Sequence, residues 1–146
     1  MSANIEEFLT TTEEQDIVEA IRQAEQNTSG EIRVHLENSS HGNIEKRALE
    51  VFYILKMENT KLQNAVLIYV AVKDKQFAIY GDKGINSVVP SNFWDSTKNL
   101  IAQHFKQGKF KQGLVEGILK AGEQLKLHFP IAKDDINELP NTITKS

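Results

Sequence analysis

From Ala65 to Val72 the chain reads Ala-Val-Leu-Ile-Tyr-Val-Ala-Val, eight apolar side chains without a break. A strand with one wet face alternates apolar and polar residues, so a run that is apolar at every position needs cover on both faces. As a helix it is far short of the roughly 20 apolar residues that span a bilayer. The segment is therefore the central strand of a layered α/β domain, and a chain of 146 residues, 40% of them hydrophobic, can bury one such core.

The neighbouring segments supply the layers. Thr10, Thr11 and Thr12 each precede a Glu or Gln by three residues, a run of capping boxes ahead of Ile17, Val18, Ile21 and Ala24 at helical spacing. A helix of about 15 residues follows. Past Asn27-Thr28-Ser29-Gly30, the segment Glu31 to Glu37 alternates strictly and predicts a half-buried strand with Ile32, Val34 and Leu36 inward. Asn43 caps a second helix with the apolar stripe Ile44, Ala48, Val51, Phe52 and Leu55. Strand, helix and strand in this order imply a parallel pair with a right-handed crossover.

Only Lys73-Asp74-Lys75 separates Val72 from the next strand, Gln76 to Tyr80, so that strand returns antiparallel as a hairpin with Asp74 exposed at its tip. The turn lacks glycine, which favours a type I turn with a bulge over the type I′ form. Pro90-Ser91 is read as the start of a helix carrying Phe93, Trp94, Leu100, Ile101 and Phe105, with Gly108 at its C-terminal cap. The last helix, near Phe110 to Leu127, spaces Gly113, Gly117 and Ala121 by four, which predicts close backbone packing on the sheet or a neighbouring helix. The tail from Pro130 is polar, with Ile136 and Leu139 as its docking points.

The chain contains no cysteine, which excludes thiolate nucleophiles and fits a reducing compartment. Residues 1 to 31 carry eight acids against Arg22, whereas Lys98 to Lys133 carry seven lysines against Glu116 and Glu123. Solvated helix faces account for such an asymmetry, and it also suits a charged protein partner. With a pI near 5.8 and no aromatic row among the lysines, nucleic acid is disfavoured. The N-terminal segment has neither a basic n-region nor an apolar h-region, so a cytoplasmic protein without direct membrane insertion is expected.

Topology sorts the polar residues onto two sheet ends. One gathers Glu31, Asn64 and the turn Gly81-Asp82-Lys83-Gly84; the other gathers Glu37, Ser39, Ser40 and His41 with the hairpin turn. Open parallel sheets favour the second. The first offers two carboxylates and an amide oxygen, hard ligands of the kind that Ca²⁺ or Mg²⁺ takes. Its competing reading is plainer, with Glu31 an ordinary strand residue and Asp82 a turn former. His41 beside Ser39 or Ser40 suggests a nucleophile and base, but no orienting carboxylate stands at a recognisable spacing. His35, His104 and His128 lack metal-binding spacing and are expected to be structural.

The segments GEIRV at 30–34, Asn64 with AVLIYV, FAIYGDKGI at 77–85 and FKQGKFKQGL at 105–114, in this order, resemble the TPM-domain family. The resemblance runs from Phe8 to Phe129, leaving 130–146 as a tail, and FP followed by DDINELP resembles short soluble bacterial members. It implies an α/β/α sandwich with a small mixed sheet, a parallel βαβ unit plus an antiparallel hairpin, covered by about four helices. It also implies a polar site at Glu31, Asn64, Gly81, Asp82 and Gly84. Relatives in thylakoid membranes take part in photosystem repair, and acid phosphatase activity and calcium binding are attributed to the domain. Two functions follow as expectations. The first is a non-catalytic interaction or assembly module with a protein partner, a membrane-anchored TPM paralogue being one candidate. The second is a weak phosphomonoesterase in which Glu31, Asn64 and Asp82 hold Ca²⁺ or Mg²⁺ and a cation-bound water attacks, with Asp82 and Glu31 as the candidate catalytic residues.

Overall fold

A computed structural model describes residues 5, 7–131 and 139–146. Its order is α1 (Thr11–Glu25), β1 (Glu31–Glu37), α2 (Ile44–Ile54), β2 (Ala65–Ala71), β3 (Gln76–Gly81), α3 (Lys83–Asn86), α4 (Asp95–Lys106), α5 (Phe110–His128) and β4 (Ile143–Lys145). The four strands form one sheet in the order β3-β2-β1-β4. β1 pairs parallel to β2 and to β4, and β3 returns antiparallel on β2. This is the expected α/β sandwich with a mixed sheet, with four long helices and the single turn α3.

β2 is central for the reason its sequence demands. Val66, Ile68 and Val70 enter a core with residues of α1, α4 and α5, while Ala65, Leu67, Tyr69 and Ala71 face Ala48, Val51 and Phe52 of α2. All seven residues of β2 are buried.

Local rules set most boundaries. Thr10 and Glu13 close a reciprocal capping box, and Asn43 Oδ1 accepts the Lys46 amide. Beyond α4, the Gly108 and Lys109 amides donate to the Phe105 and His104 carbonyls, with Gly108 at φ +75°. This double closure needs a left-handed residue, which glycine supplies without a steric penalty. The small stripe of α5 does bring backbones together: a Cβ on Gly117 would lie 2.5 Å from Ile101 of α4, and one on Gly122 would lie 2.7 Å from Ala24 of α1. Asp74 is exposed at the hairpin tip, and Lys75 takes φ +53° to close the turn.

Three expectations change. α4 starts at Asp95 rather than at Pro90-Ser91, so Phe93 and Trp94 precede the helix. They pack edge-to-face, and Phe93 also meets His128, so ring packing holds the approach to α4 in turns. The tail supplies β4, whose register sets Val34 against Ile143 and Leu36 against Lys145. Ile136 lies outside the described residues, while Leu139 donates its amide to Glu31 Oε1 at 2.8 Å. Lastly, β1 is not half-buried: Glu31, Arg33, His35 and Glu37 are as hidden as the apolar residues between them.

Candidate functional site

Register explains where the nominated residues stand. Glu31 lies opposite Ala65, and the Asp82 amide donates to the Ala65 carbonyl from the other side. Glu31 and Asp82 therefore flank Ala65 on one face of the sheet, about 10 Å apart at the strand spacing. Both are buried, at 3% and 1% exposure. Asp82 caps α3, its Oδ1 accepting the Lys83 amide at 2.8 Å. Asn64 turns instead toward the α1–β1 connection, where its Nδ2 donates to Ser29 Oγ at 3.2 Å. The structure thus collects all three at one end of the sheet, with each in a structural role of its own.

Those roles leave oxygens over. Asp82 Oδ2, Asn64 Oδ1 and Glu58 Oε2 are buried without a hydrogen-bond partner among the described residues. Burial is the main cause that raises the Asp82 pKa, and the nearby charge of Glu58 adds to it. Glu58, in the loop between α2 and β2, escapes sequence reasoning because Glu58-Asn59-Thr60 matches no ligand pattern. The leftover oxygens have the hardness that Ca²⁺ or Mg²⁺ requires. Among the described residues, no three His, Cys, Asp or Glu side chains gather as a metal-holding group. A cation on this face would lean on Asp82, Glu58 and water, since Asn64 turns to Ser29 on the other face.

Gly84 makes this corner tight. Its amide donates to the Gln63 carbonyl at 2.8 Å, and Gln63 is itself held at φ +50°. The 58–64 loop and α3 are therefore pressed together behind Asp82.

The other end of the sheet holds a network that the sequence pattern hides. Glu37 accepts a two-pronged contact from Arg47 of α2, at 2.8 and 2.7 Å, and a third hydrogen bond from Tyr69 Oη at 2.6 Å. The Arg47 hydrogen bond is the main cause that lowers Glu37 to about 2. His35 lies between β4 and the Tyr69 ring, with Nδ1 2.7 Å from Thr144 Oγ1 and Nε2 2.6 Å from Ser146 Oγ. Burial drops its pKa to about 4, so at neutral pH it is an uncharged structural group. The Ser39 hydroxyl accepts the main-chain amide of exposed His41, Ser40 is buried, and among the described residues neither serine is seen to bond the His41 imidazole.

Glu25, on the last turn of α1, accepts the Ile32 amide through Oε2 at 2.8 Å, while its Oε1 is buried without a partner among the described residues. Burial raises this carboxyl from 4.5 to about 8, with the charge of Glu31 contributing. The folded state holds the proton to higher pH than the unfolded state, so stability declines as pH rises from about 4.5 to about 8. Glu25→Gln keeps an acceptor for the Ile32 amide and removes the charge. It is expected to be more stable than the parent by about 2 to 3 kcal/mol at pH 8 and nearly equal at pH 4. Urea unfolding at both pH values checks this; a variant less stable at pH 8 would show that the ionised carboxylate is the favoured form.

The comparisons with known proteins enter on this geometry. The sequence pattern of the TPM domain matches residues 4–124. No curated protein matches the chain. Among solved structures, BA42 protein from the psychrophilic bacterium Bizionia argentinensis is 67% identical, with a TM-score of 0.92 over 97% of this chain and 98% of that one. The N-terminal domain of a P. gingivalis protein is 18% identical, with a TM-score of 0.67 over 84% of this chain and 79% of that one. The N-terminal domain of cg2496 protein from Corynebacterium glutamicum is 13% identical, with a TM-score of 0.62 over 94% of this chain and 81% of that one. The last two share the fold.

Proposed function

The chain belongs to the TPM-domain family, and from that premise we propose that it is a non-catalytic interaction module that binds a divalent cation weakly as a clasp at its polar end. The observation that carries this reading is the employment of the nominated residues. Glu31 holds the Leu139 amide, Asp82 caps α3, and Asn64 ties β2 to Ser29. Groups so engaged position the chain. The leftover oxygens of Asp82 and Glu58 supply ligands for Ca²⁺ or Mg²⁺ without supplying an acid and base pair. The reading includes a cytoplasmic setting, which suits a cysteine-free chain, and a protein partner, with a membrane-anchored TPM paralogue as the candidate. No helix among the described residues is long and apolar enough to cross a membrane.

With two or three protein oxygens completed by water, affinity falls in the range of about 10⁻⁴ to 10⁻³ M. Titration of the labelled protein with Ca²⁺ and with Mg²⁺ at fixed salt is expected to move the amides of Glu58, Asn64 and Asp82 to Gly84. Asp82→Asn is expected to abolish these shifts. Shifts confined to Asp134 and Asp135, which lie outside the described residues, would remove the clasp.

A second reading, a metal-assisted phosphomonoesterase, is favoured by the raised pKa and free oxygen of buried Asp82. Hydrolysis of para-nitrophenyl phosphate that needs the added cation and disappears in Asp82→Asn would replace the first reading with the second.

A further inference from the structure

β3 is one edge of the sheet. The Val72 amide donates to Glu37 of β1, and the Asp82 amide donates to the Ala65 carbonyl. The ladder alternates between these two bonds, so odd-numbered residues of β2 bond to β3 and even-numbered ones to β1. Phe77, Ile79 and Gly81 therefore turn their N–H and C=O groups away from β2. The Gly81 carbonyl is taken by Asn86 Nδ2 at 3.1 Å. Among the described residues no outward main-chain bond is made by Phe77, which is half-buried, or by Ile79, which is 7% exposed.

At Phe77 this edge borders a groove of about 700 Å³ between the start of β3 and the end of α4, lined by Phe77, Ala102, Phe105, Phe110, Lys75 and Lys106 among others. Phe77 meets Phe105 edge-to-face at 5.3 Å, and Phe105 meets Phe110 at 5.1 Å, so the aromatic floor is fixed. The rim is basic: Lys75 and Lys106 line the groove, while Lys73 and Lys109 are exposed in the adjoining turns. None of these four lysines has an ion-pair partner among the described residues.

An unpaired strand edge, an aromatic floor and unpaired cations together describe one kind of occupant. We infer that this groove docks an extended acidic segment of a partner protein, which adds to β3 at Phe77 and Ile79, sets an apolar side chain on the aromatic floor and places its carboxylates against Lys75 and Lys106. Main-chain bonds at the edge hold the segment, and the alternating side chains select it. Charge complementarity chooses acidic over basic sequence. This inference rests on the interaction-module reading and gives that module its surface.

The test uses the full chain, isotopically labelled, with a capped heptapeptide alternating glutamate and valine as the probe. Binding is expected at about 1 mM or tighter, with amide shifts at Phe77 and Ile79 and along Ala102 to Gly108, and weakening as salt rises. The Lys75→Glu, Lys106→Glu double variant should bind at least about tenfold more weakly. Both lysines are exposed, and an unchanged spectrum away from the groove certifies the fold. Independently of any variant, the same peptide N-methylated at alternate bonds should not bind the parent protein. Equal binding of a lysine–valine peptide, equal binding of the methylated peptide, or no shifts up to about 5 mM overturns the inference. Shifts on another surface remove this groove and leave the interaction-module reading standing. Asp82-dependent phosphatase turnover removes that reading and leaves the peptide result as it was.

Discussion

Gly84→Ala is expected to lower stability by about 3 kcal/mol or more, the largest effect of any single methyl added to this chain. A Cβ at Gly84 would stand 2.5 Å from the Gln63 carbonyl oxygen and nearer still to that of Leu62. Both obstacles are backbone, so neither can rotate aside as a side chain would. Relief requires the 58–64 loop to separate from α3, which breaks the Gly84–Gln63 hydrogen bond and moves Glu58 away from Asp82. Urea unfolding reads the stability, and the cation titration of the same variant should lose its response. Gly81→Ala is the comparison: its Cβ would meet Trp94 Nε1 at 3.3 Å, a side chain that can shift, and the loss should stay near 1 kcal/mol. Equal effects at the two positions would refute the claim that packing of the loop on α3 builds the corner.

Arg47→Met is expected to cost about 3 kcal/mol at pH 7, because it leaves the Glu37 carboxylate, 6% exposed, with Tyr69 as its remaining donor. Glu37 has a folded-state pKa near 2 against an ordinary 4.5, so its contribution is complete above about 4.5 and disappears as pH falls through 2. In the variant the carboxyl titrates higher, and the gap between the two proteins should narrow steadily from pH 7 to pH 3. Glu37→Gln combined with Arg47→Met removes the stranded charge and should recover much of the loss. A gap that does not change with pH would assign the cost to lost packing of the arginine stem.

These two sites differ in how far the sequence announced them. Asp82 and Gly84 stand in a turn marked by its glycine spacing and its acid, and strand order alone brings that turn to the same sheet end as Glu31 and Asn64. Nothing in the sequence connects Glu37, Arg47 and Tyr69, because strict alternation in β1 has the pattern of a wet face. A central strand covered on both sides requires cover wide enough to reach its neighbour, so the polar row of β1 is also enclosed, by α2 at Glu37 and by the tail at Glu31 and His35. Helix ends written in local chemistry, Thr10 with Glu13, Asn43 and Gly108, were legible because their partners lie within a few residues. The start of α4 was not, because Trp94 makes no side-chain cap and ring packing with Phe93 and His128 decides the path. β4 escaped for a related reason: three residues carry too little pattern, and their partner lies far back in the chain.

That distance also orders events in time. Thr144 meets His35 across 109 residues, whereas β2 and β3 join through a single tight turn. Closing so long a loop costs chain entropy before a three-residue strand returns any contact, so the pairing becomes favourable only once the rest of the sheet and α5 already hold the two ends together. On chain entropy alone, the hairpin and the βαβ unit are expected to form early and β4 to close last, when His35 would exchange water for the hydroxyls of Thr144 and Ser146.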